Sequence, residues 1–258
     1  MRRVVSVTAA LALCMVAAAT WARSSGGHIP EYIKAAVDNP SRPQTDQRRD
    51  VNRKPEQVLA FARVRPGLRI GELEPANGYY TRILCKVVGS SGHIYAVNFI
   101  LHFSPQQLQR MGRRIMGPPP APKTDCGNVT YSVQAATALT LPSGLDMVWT
   151  TENYHDFHNP ELGKPDMRTF DQTVFNALKP GGVFIIEDHA AAAGTGAQDT
   201  NTLHRIDPAL VKREVESVGF RYAGQSRVLH NPKDNHTEIV FKMVDRTDRF
   251  LFKFRKPR

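Results

Sequence analysis

The sequence predicts an α/β fold: a doubly wound, mostly parallel seven-stranded sheet with an antiparallel terminal strand. Three observations support this prediction. Strand-like apolar runs alternate with helix-like segments from residue 68 onward. The run Val-Phe-Ile-Ile at 183–186 is continuously apolar, as in a strand that helices cover on both faces. The last two strands follow each other with no helix between them, which favours an antiparallel edge.

Apolar spacing and capping residues place the individual elements. Ser104 and Asp207 each precede a proline, the combination typical of a helix start. Pro66-Gly67 is a turn pair that ends one helix and precedes the first strand. The predicted helices are 29–37, 56–64, 79–88, 104–115, 167–178 and 208–218. The predicted strands are 68–73, 93–97, 129–133, 145–150, 183–187, a sixth that follows 219–220, and 249–254.

The bulk composition is that of a globular protein with a basic surface. The chain has 258 residues, 41% hydrophobic and 22% charged, with a formal net charge of +10. A basic balance permits acidic partners. However, the lysines and arginines are scattered, with no recognition element in which aromatic residues alternate with them. This distribution argues against nucleic-acid binding and favours a solvated basic surface.

The N-terminus has the pattern of a secretory leader. Arg2 and Arg3 precede an apolar run over 4–19, and Ala17 and Ala19 offer a cleavage site. The run is shorter than a bilayer span, so we expect no integral membrane segment after cleavage. The domain prediction is a signal peptide over 1–22, an N-terminal helix and extended arm over 23–55, and the α/β domain over 56–258. The mature protein is then exported, periplasmic or secreted, with the arm folded over the ligand pocket.

Two cysteines remain after the predicted cleavage, too few for a disulfide scaffold. Cys85 falls on the inward face of a predicted helix, which favours a buried free thiol. A single bridge from Cys85 to Cys126 in an oxidising compartment is the alternative.

The first strand leads into the loop Glu72-Leu-Glu-Pro-Ala-Asn-Gly78, and a helix follows directly. Such a unit directs the backbone N–H groups of a loop and a helix start towards a ligand carboxylate or phosphate. The loop requires left-handed backbone conformations, which glycine adopts most readily. Here only Gly78 is a glycine, Asn77 is the next best residue, and Ala76 adds one methyl group. A plain strand-to-helix turn without a ligand is the alternative.

Six short motifs occur in a fixed order along the chain. They are Arg53-Lys-Pro-Glu, Glu72-x-x-Pro75-x-x-Gly78-Tyr-Tyr-Thr-Arg82, Asn153-Tyr-His-Asp156, Leu178-Lys-Pro-Gly-Gly182, Asp188-His-Ala190 and Leu203-His-Arg-Ile-Asp207. In these motifs the chain, from about residue 45 to its end, resembles the seven-stranded (class I) S-adenosylmethionine-dependent methyltransferases. More closely, it resembles an exported bacterial branch known as predicted methyltransferases.

The resemblance implies S-adenosylmethionine as the cofactor. Glu72 would help to hold its amino group, and the loop backbone its carboxylate. Asn98 ends the second strand and would face the ribose; an amide accepts through one oxygen only, so this contact is weaker than that of a carboxylate. An ordinary strand-end turn is the other interpretation of Asn98. Glu74 either favours the cationic cofactor or fills its pocket. The cofactor-binding residues implied are Glu72, Pro75, Ala76, Asn77, Gly78, Tyr79, Asn98, Gln134 (adenine edge) and Asn153.

The chemistry is expected after the fourth strand. Methyl transfer is an in-line displacement that depends on positioning, and a hydroxyl or protonated amine acceptor also needs a base. The prediction makes His155 the base, with Asp156 supporting it or acting directly, and Tyr154 a wall beside the methyl group. Asp188, His189 and His204 are predicted substrate contacts. The alternative is that Tyr154 packs in the core while His155 and Asp156 cap the following loop.

Two other functions remain open from the sequence. The same histidines and aspartates, with His158, could supply nitrogen and oxygen ligands to a metal. His155-x-x-His158 on a loop is not a diagnostic spacing, so no metal ligand is assigned. The second alternative is a non-catalytic, exported ligand-binding protein on a degenerate methyltransferase scaffold, because the loop has lost glycines and the cofactor supply outside the cytosol is unclear. The methyl acceptor is expected to be a small molecule that the sequence does not identify.

Overall fold

The computed structural model describes residues 28–110 and 120–258. Its helices are α1 Glu31–Val37, α2 Gln44–Gln47, α3 Asp50–Arg53, α4 Pro55–Ala62, α5 Tyr79–Val88, α6 Pro105–Arg110, α7 Met167–Ala177 and α8 Pro208–Ser217. Its strands are β1 Arg69–Leu73, β2 His93–Phe99, β3 Val129–Gln134, β4 Leu145–Thr151, β5 Leu178–His189, β6 Arg221–Ser226 and β7 Arg249–Arg255.

The strands form one seven-stranded sheet in the order β3-β2-β1-β4-β5-β7-β6. Strands β1 to β5 pair in parallel, and β7 is antiparallel to both β5 and β6. The predicted fold class is therefore confirmed. The strand order reverses between β1 and β4, and open α/β sheets bind ligands outside the carboxyl ends of the strands at such a point.

Helices cover the sheet on both faces. Helices α1, α4 and α5 pack on one face, and α7 and α8 on the other. Strand β5 shows why its sequence is continuously apolar: Phe184 belongs to one core cluster and Ile185 to the other, and neither is exposed to solvent. Since side chains alternate across a strand, both faces of β5 must be apolar.

Two segments depart from the predicted elements. Strand β5 begins at Leu178, five residues before the predicted 183, and α7 accordingly ends at Ala177. The arm was expected to be extended over 38–55, but it contains the short helices α2 and α3, so that prediction is wrong. Side-chain pairs hold the arm in turns: Arg42 pairs with Asp50 through two hydrogen bonds of 2.8 Å.

The two cysteines of the domain are bridged, so the expectation of a free thiol at Cys85 is wrong. Cys85 and Cys126 form a disulfide with a Cα–Cα distance of 6.2 Å. The segment before β3 returns to α5 and brings them together: Lys86 pairs with Asp125 at 2.9 Å, and the Asn128 amide donates to the Cys85 carbonyl at 3.0 Å.

Some predictions fall on residues that the structure does not describe. The predicted leader lies within 1–27, and the predicted helix 104–115 is described only up to Arg110. Within the described ranges, every helix is too short or too polar to cross a membrane.

Candidate active site at the carboxyl edge of the sheet

A cavity of about 720 Å³ lies at the carboxyl ends of β1, β4 and β5. The arm forms part of its wall through residues such as Arg49 and Arg53, which confirms that the arm folds over the pocket. The predicted site residues that line the cavity are Glu72, Pro75, Ala76, Asn77, Tyr79, Asn153, His155, Asp156, His189 and His204. Within the described part of the chain, Gly78, Asn98, Gln134, Tyr154 and Asp188 are not among its lining residues.

The loop after β1 keeps left-handed conformations without a full set of glycines. Glu74, Ala76 and Gly78 have φ angles of 51°, 48° and 81°. A non-glycine residue in this region costs roughly 1–3 kcal/mol and persists only where its surroundings hold it. Here the amide of Asn153 donates to the Glu74 carbonyl at 2.9 Å. Alternation of left-handed with ordinary conformations turns successive N–H groups to one side, which forms an anion-binding concavity.

Asn98 supports this loop. It is fully buried, its side-chain oxygen accepts the Ala76 N–H at 3.2 Å, and its amide donates to Tyr131 at 3.2 Å. The side chain is therefore occupied inside the fold. The prediction that Asn98 faces a ribose is not supported, because its side chain is fully buried and is not among the residues that line the cavity.

Glu74 lies beside the end of the second strand and lines the cavity. Its carboxylate accepts the Phe99 N–H at 3.0 Å at the end of β2, and it lines the cavity without filling it. Burial raises the pKa of Glu74 to about 7, and the charge of Asp156 adds to this shift. The structure thus places a carboxyl group, rather than only the Asn98 amide, beside the end of the second strand.

Glu72 is the least satisfied acidic group of the cavity wall. It is 2% exposed, and its Oε2 atom has no hydrogen-bond partner within 28–110 and 120–258. Burial raises its pKa to about 7, although Thr81 and Arg82 act in the opposite direction. A buried carboxylate oxygen without a partner is costly, so a donor from a ligand would stabilise it.

Two predicted site residues lie away from the cavity. Gln134 bonds Thr140 through its side chain and faces a separate hollow beside β2 and β3. Tyr154 is fully buried, and its hydroxyl donates to Asp171 at 2.9 Å. The predictions of an adenine contact for Gln134 and a methyl-facing wall for Tyr154 are therefore wrong. For Tyr154 the alternative interpretation, a core tyrosine, is confirmed.

His155 is the centre of a buried polar cluster. Its ring Nδ1 lies 2.8 Å from Asp188 Oδ1, and its backbone N–H donates to Asp188 Oδ2 at 2.7 Å. Its Nε2 lies 3.2 Å from Asp156 Oδ1 and 3.3 Å from His204 Nδ1. Asp188 is completely buried and also accepts the His189 N–H. It therefore positions His155, and its burial does not support the prediction that it contacts a substrate.

The electrostatics of the cluster change the predicted roles. Burial alone would lower the pKa of His155, but the charges of Asp188 and Asp156 raise it to about 10. The pKa of Asp156 is held well below its ordinary value by His155 and His204, against the effect of burial. His155 therefore carries a positive charge at neutral pH. Burial instead lowers the pKa of His189 to about 4, which keeps that ring neutral.

An ion-pair network under the arm contributes Arg53, Glu152 and Asp245 to the cavity wall. Arg53 is 3% exposed and pairs with Glu152 at 2.6 Å and with Asp245 at 3.3 Å. Arg249 pairs with Glu152 at 2.7 Å and with Glu187 at 2.9 Å. Sequence reasoning missed this network, because its members are up to about 200 positions apart. Only the motif that begins at Arg53 marked one of them.

Comparisons with known proteins show which solved structures share this fold. No family model matches the chain, and neither does any curated protein sequence. Solved structures do match. An S-adenosylmethionine-dependent methyltransferase from Aquifex aeolicus is 16% identical over 89% of this chain and 99% of its own, with a TM-score of 0.51. One from Mesorhizobium loti is 15% identical over 79% and 97%, with a TM-score of 0.50.

The fold is that of S-adenosylmethionine-dependent methyltransferases. At these identities the likeness concerns architecture alone. The cyclase SpnF also matches, 14% identical over 80% of each chain with a TM-score of 0.51, so one architecture carries more than one named activity. The more specific resemblance to an exported bacterial branch finds no support in these comparisons.

Proposed function

We propose that the protein transfers a methyl group from S-adenosylmethionine to a small molecule bound in the cavity. The observation that carries this proposal is the unpartnered Oε2 of Glu72, which is buried in the cavity wall. The cofactor has an ammonium group that could satisfy this oxygen. A charge-assisted hydrogen bond of this kind is worth about 1.5–3 kcal/mol.

The loop and its neighbours fit the rest of the cofactor. The backbone N–H groups of Asn77 and Tyr79 would hold its carboxylate, whereas those of Ala76 and Gly78 donate to Asn98 and to the Pro75 carbonyl and keep the loop in shape. Glu74 would accept from the ribose hydroxyls in place of Asn98. Ligand pockets typically measure about 300–1,000 Å³, so the cavity has room for a cofactor and a small acceptor.

When bound, the cofactor supplies a methyl group on a sulfonium centre for in-line displacement. The cluster of His155, Asp156 and His204 faces the acceptor and assists loss of its proton. Both ring nitrogens of His155 are engaged, with Asp188 on one side and with Asp156 and His204 on the other. Asp156 would therefore accept the hydrogen bond of the acceptor and take its proton only as the methyl group is transferred, because its lowered pKa makes it a weak base before that step; His155 positions Asp156. This assignment revises the prediction of His155 as the base.

The alternative of a degenerate, non-catalytic scaffold depended on the missing glycines and on cofactor supply outside the cytosol. The left-handed angles at Glu74 and Ala76 weaken the first argument, because the loop keeps the required conformation with other residues. Glu74 also leaves the hollow open, since its carboxylate is held by Phe99. We therefore favour the enzyme.

We also propose that the mature protein is exported. The leader-like N-terminus and the bridge between Cys85 and Cys126 support this, since disulfides persist mainly in oxidising compartments. Mass spectrometry of protein isolated from the producing cell tests both points. An N-terminus between residues 20 and 23 and a bridged Cys85–Cys126 peptide are expected; an intact N-terminus with two free thiols would contradict the proposal.

Calorimetric titration with S-adenosylhomocysteine, the demethylated product, tests the cofactor site. Glu72→Gln removes the charge of the unpartnered oxygen, and we expect it to weaken binding about 10- to 100-fold. Glu238→Gln is the matched control, because the side chain of Glu238 is exposed and pairs with Lys242 in the same short segment. Equal affinities for wild type and Glu72→Gln would refute the role of Glu72, and no binding by wild type would refute the proposed function.

A further inference from the structure

We propose that His155, Asp156 and His204 form a binding site for one divalent transition-metal ion that opens into the cavity. The inference goes beyond the proposed function and does not depend on it, since metal binding is measurable without cofactor or turnover. A search of the described residues for clusters of potential metal ligands finds this group, whose three donor atoms all lie within 4.8 Å of one another.

The three donor atoms form a nearly equilateral triangle. Nε2 of His155 lies 3.2 Å from Oδ1 of Asp156 and 3.3 Å from Nδ1 of His204, and the third side measures 3.4 Å. Zinc bonds to nitrogen and oxygen are about 2.0–2.2 Å, so neighbouring ligands of a tetrahedral ion lie roughly 3.3–3.6 Å apart. The triangle therefore matches one face of a tetrahedral site at its compact end.

The same distances are long for direct hydrogen bonds between charged groups. Such bonds usually measure about 2.7–2.9 Å. His155 makes one of that length with Asp188, at 2.8 Å. Its other ring nitrogen has two partners, both beyond 3.1 Å. An ion bound between the three donor atoms explains why the atoms converge on one point while each stays more than 3.1 Å from the other two.

The surroundings of His155 are those of a metal-binding histidine. Such a ligand almost always donates its second ring N–H to a carboxylate or carbonyl, which fixes the ring. Asp188 has this role: it is fully buried and holds both the ring and the backbone N–H of His155. This outer carboxylate leaves Nε2 of His155 directed at the triangle, where a bound ion would replace the proton that this nitrogen carries in the metal-free protein.

The site is open on one side. The side chains of Asp156 and His204 are 29% and 26% exposed, and all three ligands line the cavity. Three protein ligands with an open position are typical of catalytic zinc sites, and two histidines with one carboxylate also suit Fe²⁺. One consequence rests on the proposed function: an acceptor hydroxyl or thiol bound at the open position would lose its proton more readily. Asp156 would bind the ion through Oδ1, which leaves its second oxygen for that proton.

The test is Zn²⁺ titration of full-length protein without an affinity tag, after treatment with a chelator. Wild type should bind one ion, and Co²⁺ should give the visible spectrum of a tetrahedral site. His204→Ala should weaken Zn²⁺ binding by more than about a hundredfold, because loss of an outer-shell partner alone costs about 10- to 100-fold. His204 is partly exposed, so this variant should fold; circular dichroism checks that.

The chain offers a matched control. His230 and His236 bind separate oxygens of Asp248, at 2.8 Å and 3.1 Å, and so lack a three-donor triangle. The double variant His230→Ala/His236→Ala should bind Zn²⁺ like wild type. A wild type that binds no ion, or a control variant that loses the ion as His204→Ala does, would overturn the inference. Titration with S-adenosylhomocysteine then shows independently whether the cofactor proposal stands.

Discussion

The two walls of the cavity are built in different ways. The wall that we propose for the cofactor (the cofactor wall) is one continuous loop after β1, and it presents backbone groups held by left-handed residues such as Ala76. The wall that we propose for the acceptor (the acceptor wall) depends on side chains from distant segments: His204 lies 49 positions from His155, and Asp188, which holds His155 from behind the wall, lies 33 positions from it. A backbone site tolerates exchanges of side chains, whereas a cluster of buried charges depends on each member. This difference predicts where substitutions are costly.

The largest effect is expected on the acceptor wall. Asp188→Ala removes the buried partner of His155 and leaves Nδ1 of its ring and the backbone N–H groups of His155 and His189 without their acceptor. Breaking a buried pair costs about 3–5 kcal/mol, so the free energy of unfolding should fall by this amount in urea titration. Asp125→Ala is the control, because Asp125 is exposed and pairs with a surface lysine. If Asp188→Ala lowered the free energy of unfolding no more than Asp125→Ala does, the cluster would have no structural role.

A pH effect is expected where the two walls meet. The pKa of Glu74 rises from 4.5 in the unfolded chain to about 7 in the fold, because its carboxyl group is buried. The protonated form is thus favoured by folding. Glu74 therefore contributes fully to the free energy of unfolding below pH 4.5, and this contribution is lost as the pH rises through 7.

Glu74→Gln removes this titration. Between pH 5 and pH 8, the cofactor-free variant should gain up to about 3 kcal/mol of unfolding free energy relative to wild type, at about 1.4 kcal/mol per pKa unit. Urea titrations at several pH values measure the difference. The exposed Glu238→Gln should show no such slope, and a pH-independent difference for Glu74→Gln would contradict the buried carboxyl group.

A smaller effect is expected on the cofactor wall. Ala76→Gly should bind S-adenosylhomocysteine like wild type, because glycine adopts the left-handed conformation freely. Ala76→Val should unfold about 1–2 kcal/mol more easily than Ala76→Gly, because β-branched residues are true outliers there. Thermal and urea unfolding provide the comparison. Equal stabilities would show that the loop does not hold this conformation.

The smallest effect is expected at Gln134. Its side chain bonds Thr140 in a separate hollow, so Gln134→Ala should change the affinity for S-adenosylhomocysteine by less than about twofold. Calorimetric titration measures this. A loss of tenfold or more would restore the sequence-based prediction of an adenine contact.

The fold could be predicted because its determinants are local and periodic. The helix over 79–88 was placed with the bounds that the structure gives, and the apolar run 183–186 identified a central strand. The loop 72–78 was found for the same reason, since strand, small residues and helix follow one another in the chain.

The parts that were missed depend on partners far along the chain. The sequence marked Asp188 and Tyr154 by position, but not their partners; Asp188 proved to orient His155, and Tyr154 to bond Asp171 in the core. The bridge from Cys85 to Cys126 depends on how the segment before β3 returns to α5. Such side-chain pairings follow from tertiary packing, which local patterns do not encode.

The central claim is that the backbone of the first loop binds the cofactor although most of its glycines are replaced. The most direct test is a titration of isotope-labelled protein with S-adenosylhomocysteine, followed through the amide resonances of residues 76–79. We predict saturable shifts of the Ala76, Asn77, Gly78 and Tyr79 N–H signals with one affinity. Unchanged signals at these residues, with the ligand in large excess, would contradict the account.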